Sequence, residues 1–197
     1  MKTAPKSTAD APVLSFRTSK EWLAWLEKNQ ARSNGIWLKI ARKGSAGKSV
    51  SYDEALEGAL CYGWIDGQKK GYDEASWLQK FTPRGPRSIW SRINREKAKE
   101  LIDSGRVKAA GLQAIERAKE NGQWEAAYEG QRGIEVPVDL QSELDKHPEA
   151  AKFFGTLNSI NRYAILHRIQ IARKPETRAK RLRQFVEMLK KHKKIYP

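Results

Sequence analysis

Two arginines beside a Gly-Pro turn are the side chains best placed to bind a ligand. Residues 81–88 read FTPRGPRS, so Arg84 and Arg87 flank the turn and Ser88 follows it. Guanidinium groups bind phosphate and carboxylate through charge-assisted hydrogen bonds. Ser88 is predicted to begin a helix, whose N-terminus would offer unpaired N–H groups to an anion. The pattern predicts an anion site. The alternative is that both arginines pair with acidic residues or solvent while Ser88 only caps the helix.

A second group of residues combines large aromatic and polar side chains. Asp66 follows Trp64 in the run WIDG and could act as a general base or pair with an arginine such as Arg84. Asp-Gly is also an ordinary turn pair. Trp90 and Asn94 extend the same mixture beyond the Gly-Pro turn. Such a mixture suits a ligand pocket or a polar-bridged core, and both interpretations stay open.

The remaining reactive residue types lack the spacing that catalysis or metal binding needs. Residues 44–49 read GSAGKS, but Arg42 stands where a phosphate-binding loop needs glycine, so a turn is predicted. Three histidines are scattered without a cysteine or carboxylate in ligand spacing, which argues against a zinc site. Cys61 lies among apolar residues and is predicted to be a buried structural thiol. No catalytic residue, metal site or cofactor is therefore predicted.

The charge of the chain favours a polyanionic partner. The sequence holds 38 Lys and Arg against 23 Asp and Glu, and residues 150–197 hold thirteen of those bases and two of those acids. Nucleic acid is the first choice of partner, and a merely solvated basic surface is the alternative. On the last predicted helix, Arg178, Arg181 and Lys190 are expected to lie outside the apolar stripe. They are predicted to contact phosphates without reading bases.

Cysteine content and hydropathy bear on the cellular compartment. A single cysteine excludes an intrachain disulfide. The first residues lack the apolar segment of a secretory signal, and no run approaches the roughly 20 apolar residues of a membrane span. A cytoplasmic location without a membrane span is therefore expected.

Hydrophobic periodicity predicts an α+β fold. Capping-box pairs at Thr18/Glu21 and Ser51/Glu54 mark two helix starts. Residues 36–41 alternate as a strand, and residues 64–68 and 76–81 form a predicted hairpin. The expected architecture is a small, mostly antiparallel sheet with packed helices, followed by a basic all-helical unit. The predicted organisation is a flexible tail (1–12), an α+β domain (13–130), an acidic linker (131–147) and a basic helical unit (148–197).

Four runs of the chain resemble signature segments of one bacterial family. They are ALCYGWIDG (59–67), FTPRGPRSIWSRIN (81–94), AKENGQWEAAY (118–128) and ARKPETRAKRL (172–182). In order and spacing they are similar to the YdeI/OmpD-associated family, also labelled bacteriocin-protection proteins, over roughly residues 13–192. The resemblance implies a role in stress or bacteriocin tolerance and no established reaction or cofactor. Trp64, Asp66, Arg84, Ser88, Trp90 and Asn94 match these segments.

Three classes of function follow from these observations. The favoured one is a non-enzymatic, stress-associated protein that binds an anionic partner such as nucleic acid. The second is a small-molecule enzyme or sensor with a pocket around Trp64, Asp66 and Arg84. The third is an adaptor for another protein, which an extended exposed apolar patch would mark.

Overall fold

A computed structural model describes residues 11–197 of the chain. Most of the predicted flexible tail, residues 1–10, lies outside this range. The described residues form four strands: β1 (Val13–Leu14), β2 (Ile36–Ala41), β3 (Trp64–Gly71) and β4 (Ser76–Pro83). They also form eight helices: α1 (Ser19–Asn29), α2 (Tyr52–Cys61), α3 (Arg92–Asp103), α4 (Ala109–Glu120), α5 (Val138–Asp145), α6 (Pro148–Thr156), α7 (Ser159–Gln170) and α8 (Pro175–Lys190).

The chain divides into two compact units. The first contains the described residues through Trp90 together with Asn94–Ala126. The second contains Ser91–Ile93 and Ala127–Pro197. All four strands belong to the first unit, and the second is helical.

The sheet of the first unit has the strand order β1-β2-β4-β3. The β2–β4 and β3–β4 pairs are antiparallel, whereas β1 runs parallel to β2. The parallel pair follows from the intervening helix α1, because parallel neighbours need a crossover connection. The predicted α+β class and mostly antiparallel sheet are confirmed, and the sheet as a whole is mixed.

Local side-chain bonds begin the first two helices where the capping patterns predict. The Thr18 hydroxyl accepts a hydrogen bond from the Glu21 backbone N–H at 3.3 Å. At α2 the capping box is complete. Ser51 accepts from the Glu54 N–H at 3.3 Å, while the Glu54 carboxylate accepts from the Ser51 N–H at 2.9 Å. Each bond satisfies a backbone donor that the start of a helix leaves unpaired.

Aromatic rings fill the core of the first unit. Trp22 on α1 and Phe81 on β4 are fully buried, with their ring centroids 5.7 Å apart. The Trp22 indole donates to the Ala55 carbonyl at 3.0 Å, which ties α1 to α2. At the far end of α2, a Cβ on Gly111 of α4 would lie 2.4 Å from the Cys61 carbonyl oxygen. The close approach of α2 and α4 therefore requires glycine there.

Aliphatic side chains dominate the core of the second unit. They come from helices α5 to α8, and the most buried are Leu140, Ile165, Ile169 and Leu189. The Asn161 side chain, 1% exposed, accepts from the backbone N–H groups of Ile195 and Tyr196 at 3.0 and 2.9 Å. These bonds fasten the last residues of the chain to α7.

The segment predicted as an acidic linker contains a helix that helps to form this core. Residues 138–145 are α5, on which Leu140 and Leu144 are 0% and 2% exposed. The two leucines stand four residues apart and share one face of the helix, while the acidic side chains are spread over the rest. Residues 138–145 of the segment predicted as an acidic linker are therefore helical and pack into the core of the second unit.

Candidate functional site

The Gly-Pro turn does not lead directly into a helix. The Ser88 backbone N–H donates to the Gly85 carbonyl, and the Ser88 hydroxyl accepts from the Gly85 N–H, both at 3.0 Å. These bonds close the turn on itself, and α3 begins only at Arg92. The prediction that Ser88 begins a helix is wrong, because its hydroxyl and N–H satisfy the turn instead.

Arg84 holds this turn closed from inside the first unit. Its side chain lies over Trp90, with the guanidinium carbon 3.5 Å from the ring centroid, and it donates to the Ile89 carbonyl at 3.2 Å. The Arg84 carbonyl accepts from the Arg117 guanidinium at 3.2 Å. Trp90 in turn meets Trp124 edge-on, with centroids 4.9 Å apart. Arg84 is only 5% exposed. Because its side chain stacks and bonds across the turn, we call it the turn clasp.

The space beside the turn clasp is small. The cavity there has a volume of about 10 Å³, roughly the room that one water molecule needs. Its walls include Arg84, Ser88 and Trp90, which the sequence nominated as ligand-binding residues. The contacts of these residues fit a polar-bridged core, and ligand binding by them stays a prediction. Arg87 is exposed, and anion binding by its side chain stays a prediction.

Trp64 and Asp66 are also engaged within the first unit. Trp64 is 1% exposed, and its indole donates to the Gln30 carbonyl at 3.3 Å. The Asp66 carboxylate is half-buried and accepts from the Tyr52 hydroxyl at 2.9 Å. Asn94 is half-buried on α3. The hairpin brings the backbones of Trp64 and Arg84 together, since the Arg84 N–H donates to the Gly63 carbonyl at 2.9 Å.

Arg178 and Arg181 lie on the inner side of α8. Arg178 donates to both carboxylate oxygens of Asp139, at 2.5 and 2.9 Å, and to the Ile169 carbonyl at 3.0 Å. Arg181 donates to the Arg168 carbonyl. The hydrogen bonds from Arg178 and its positive charge hold the pKa of Asp139 below its usual range, against the opposing effect of burial.

The predicted outward position is therefore wrong for these two arginines. Arg178 stands four residues before Leu182, and Arg181 four before Phe185, so the helical period carries both toward the apolar stripe. Lys190, the third residue nominated for nucleic-acid binding, is half-buried and pairs with Glu187 at 2.9 Å. All three side chains thus have partners within the second unit.

Other bases face solvent on α8. Lys180, Arg183 and the C-cap residue Lys191 are exposed and fall on one side of the helix, which we call the outer face of α8. Among residues 11–197, none of these three forms an ion pair with a carboxylate. The sequence analysis did not name these three residues, because it assigned Arg178, Arg181 and Lys190 to the side outside the apolar stripe instead.

A cavity of about 490 Å³ lies within the second unit. Aliphatic side chains line one part of it: Ile134, Val136, Pro137, Val138 and Leu166. Polar side chains line another: Arg92, Glu129, Glu135, Gln170 and Arg178. Arg92 pairs with Glu129 at 2.7 Å. Part of the lining, residues 133–138, comes from the segment predicted as an acidic linker, so the sequence analysis proposed no cavity there.

Metal ligands and membrane helices were sought in the same part of the chain. Over residues 11–197, no three His, Cys, Asp or Glu side chains come together as a metal-binding group. In that range, no helix combines the length and the apolar character that crossing a bilayer requires.

The fold and these surfaces define a two-unit α+β protein with an aromatic first unit and a basic helical second unit. A family model described as a domain of unknown function (DUF8412) matches residues 14–114, just over half of the chain, and the protein belongs to that family. A second model, described as bacteriocin-protection, YdeI or OmpD-associated, matches residues 133–192. No curated protein matches the chain, and no solved structure does.

The second match confirms the resemblance drawn from the sequence and assigns it to the helical unit. The likeness to the bacteriocin-protection, YdeI or OmpD-associated family is thus carried by residues 133–192. Of the four runs that carried the resemblance, only ARKPETRAKRL lies within residues 133–192. The runs at 59–67 and 81–94 fall within the match to the domain of unknown function.

Proposed function

We propose that this bacteriocin-protection-associated protein acts without catalysis, by binding nucleic acid through the outer face of α8. The observation that carries the proposal is the exposure of Lys180, Arg183 and Lys191 on one side of a helix, where none of them lies within ion-pair distance of a carboxylate among residues 11–197. The net charge of +15 adds a long-range attraction for any polyanion. We further propose a cytoplasmic location.

Phosphate contact would be the main source of affinity on this surface. Each basic side chain that neutralises a phosphate releases condensed counterions, so the affinity for nucleic acid falls as the salt concentration rises. Three such contacts correspond to a slope of about −2.7 in log affinity against log salt on a duplex. No side chain that reads base edges is assigned, so sequence preference is not part of the proposal.

The test compares two charge-reversal variants of the full chain. One carries Lys180→Glu, Arg183→Glu and Lys191→Glu. The matched control carries Lys20→Glu, Lys28→Glu and Arg32→Glu, which reverses two lysines and one arginine that are also exposed, in the first unit. Both variants have the same net charge, so the comparison separates a binding surface from general attraction.

Binding is measured by fluorescence anisotropy of a labelled duplex across a salt series. The outer-face variant is expected to bind at least about ten-fold more weakly at low salt, with a salt slope shallower by about 2 to 3. The control should keep most of the affinity and slope of the wild type. Equal losses in the two variants, or no binding by the wild type at low salt, would disprove the proposal.

The cavity of the second unit supports a second candidate, the binding of a small molecule. Its volume of about 490 Å³ falls within the usual range of ligand pockets, roughly 300–1,000 Å³. Val138 lines the cavity and is 83% exposed, so Val138→Trp can narrow it at little risk to folding. Ligand-observed NMR with a fragment library should find binders that this variant loses. Binders unaffected by Val138→Trp would argue against the cavity.

A further inference from the structure

We propose that the solvent-facing side of the sheet in the first unit binds single-stranded nucleic acid. This surface consists of Trp37, Lys39, Lys70, Tyr72 and Lys80, and we call it the lysine–aromatic surface. Three of its members place their ammonium groups over two rings. Lys70 and Lys80 lie 4.2 and 5.5 Å from the Trp37 centroid, and Lys39 lies 4.7 Å from the Tyr72 centroid. The inference is independent of the outer face of α8.

Strand register puts the four strand residues of this surface on one side of the sheet, and Tyr72 follows the end of β3, where the Lys39 ammonium lies over its ring. Trp37 of β2 stands opposite Lys80 of β4, while Lys39 of β2 and Lys70 of β3 both stand opposite Leu78. Residues paired directly across antiparallel strands share a face, and positions 78 and 80 of β4 point the same way. The surface is therefore continuous across three neighbouring strands.

The opposite side of the sheet is the core side. Ile36 and Phe81 stand opposite each other there, and Phe81 meets Trp22 of α1. On the lysine–aromatic surface, Lys70 is exposed and Tyr72 is 54% exposed. Trp37 is 8% exposed, and the lysines over its ring contribute to covering it. The surface thus presents one open ring and one ring beneath mobile side chains.

Lysine and aromatic side chains together match the chemistry of an unpaired strand. Its phosphates attract ammonium groups, and its bases stack on rings whatever their sequence. A phosphate that draws Lys70 or Lys80 outward would also uncover the Trp37 ring for a base. A duplex offers only phosphates, because its bases already stack on one another. The surface should therefore bind single strands more tightly than duplexes, a preference that positive charge alone would not produce.

The experiment uses full-length protein and labelled oligothymidylate of about 12 nucleotides, a span that one small domain can cover. An abasic strand of equal length keeps the phosphates and removes the bases. The corresponding oligouridylate tests whether DNA and RNA behave alike. Wild-type protein should bind oligothymidylate more tightly than either the abasic strand or a duplex, and binding should quench tryptophan emission.

Variants of exposed residues keep the test separate from folding. Tyr72→Ala should weaken oligothymidylate binding by about five-fold or more, since stacking of one base on a ring contributes at least that much. It should leave abasic binding unchanged, and Tyr72→Phe should restore the affinity. Tyr196→Ala removes a ring of similar exposure, 45%, from the second unit and should have no effect.

The contribution of charge is tested by the double variant Lys70→Gln, Lys80→Gln, which should weaken the binding of both the abasic strand and oligothymidylate. The same measurements in the outer-face variant of α8 should keep the preference for single strands even where duplex binding is lost. Equal affinity for abasic strand and oligothymidylate would overturn the inference. Insensitivity to Tyr72→Ala, or tighter binding of an acidic peptide than of any strand, would overturn it as well.

Discussion

In each of the two units an arginine holds separate parts of the chain together, but the partner of the arginine differs. All seven tryptophans lie in the first unit, and the second has none. In the first unit, Arg84 fixes an irregular turn by stacking on Trp90. In the second, Arg178 on α8 bonds to Asp139 near the start of α5. A planar guanidinium with several donors suits both arrangements, one against a ring and the other against a carboxylate.

This difference shows why counting basic residues overstates the charge available to a partner. Arg84, Arg178 and Arg181 are engaged with rings, carbonyls or a carboxylate inside their own units. The exposed bases of the outer face of α8 are mostly lysines, whose single ammonium group is strongly hydrated and suits a surface. The net charge thus has a structural part, held by engaged arginines, and an available part on exposed basic side chains.

Removing the turn clasp should have the largest effect on stability. Arg84→Ala deletes a stack on Trp90 and a hydrogen bond at a site that is 5% exposed. We expect a loss of about 3 kcal/mol in the free energy of unfolding. Urea titration followed by tryptophan emission measures it, since every tryptophan lies in the first unit. Arg84→Lys should recover less than half of the loss, because an ammonium lacks the planar face; full recovery would contradict stacking.

Breaking the Arg178–Asp139 pair should have a smaller effect. The side chains of Arg178 and Asp139 are 30% and 37% exposed, so water can replace part of the lost hydrogen bonding. We expect Arg178→Ala to lower the free energy of unfolding by about 2 kcal/mol, because three hydrogen bonds donated by the guanidinium are lost. Circular dichroism during urea unfolding reports it. Lys190→Ala removes a single ion pair on the same helix and should have a smaller effect than Arg178→Ala; equal losses would contradict the role of the Arg178 hydrogen bonds.

The smallest expected effect is a pH dependence that arises in the second unit. Burial lowers the pKa of His167 below its ordinary value of 6.5, and the positive charges of Arg168 and Arg181 lower it further. Between the folded and unfolded pKa values, the unfolded chain binds more protons, so stability rises with pH there. Stability is therefore complete above about pH 6.5 and falls as the pH drops through the folded pKa.

Replacing the histidine tests this assignment. His167→Gln should flatten the dependence of the free energy of unfolding on pH below about 6.5. The wild type, measured under the same conditions, is the reference. Unfolding by urea at a series of pH values supplies the comparison. An unchanged slope in His167→Gln would show that another group is responsible.

Local patterns predicted the parts of the fold that depend on neighbouring residues. Alternation placed β2 at residues 36–41, as observed, and the capping boxes located the starts of α1 and α2. The same reasoning was wrong at Ser88, because a serine that caps a helix and a serine inside a turn both accept a backbone hydrogen bond through the hydroxyl. Only tertiary structure distinguishes the two.

The candidate site was harder to predict than the fold. Composition at residues 131–147 emphasised acidic charge and concealed Leu140 and Leu144, whose four-residue spacing marks a buried helix face. Arg178 and Arg181 were assigned outward although the helical period places them with Leu182 and Phe185. The lysine–aromatic surface depends on register between three strands, which no single stretch of sequence specifies.

The close approach of α4 to the end of α2 makes Cys61 a built-in reporter of local opening. The thiol is 2% exposed, and burial raises its pKa, so little reactive thiolate is present in the closed state. A labelling reagent therefore reacts mainly with molecules whose first unit has opened at this point. Because the chain has no other cysteine, the labelling rate in native buffer counts these rare openings without any background from the second unit.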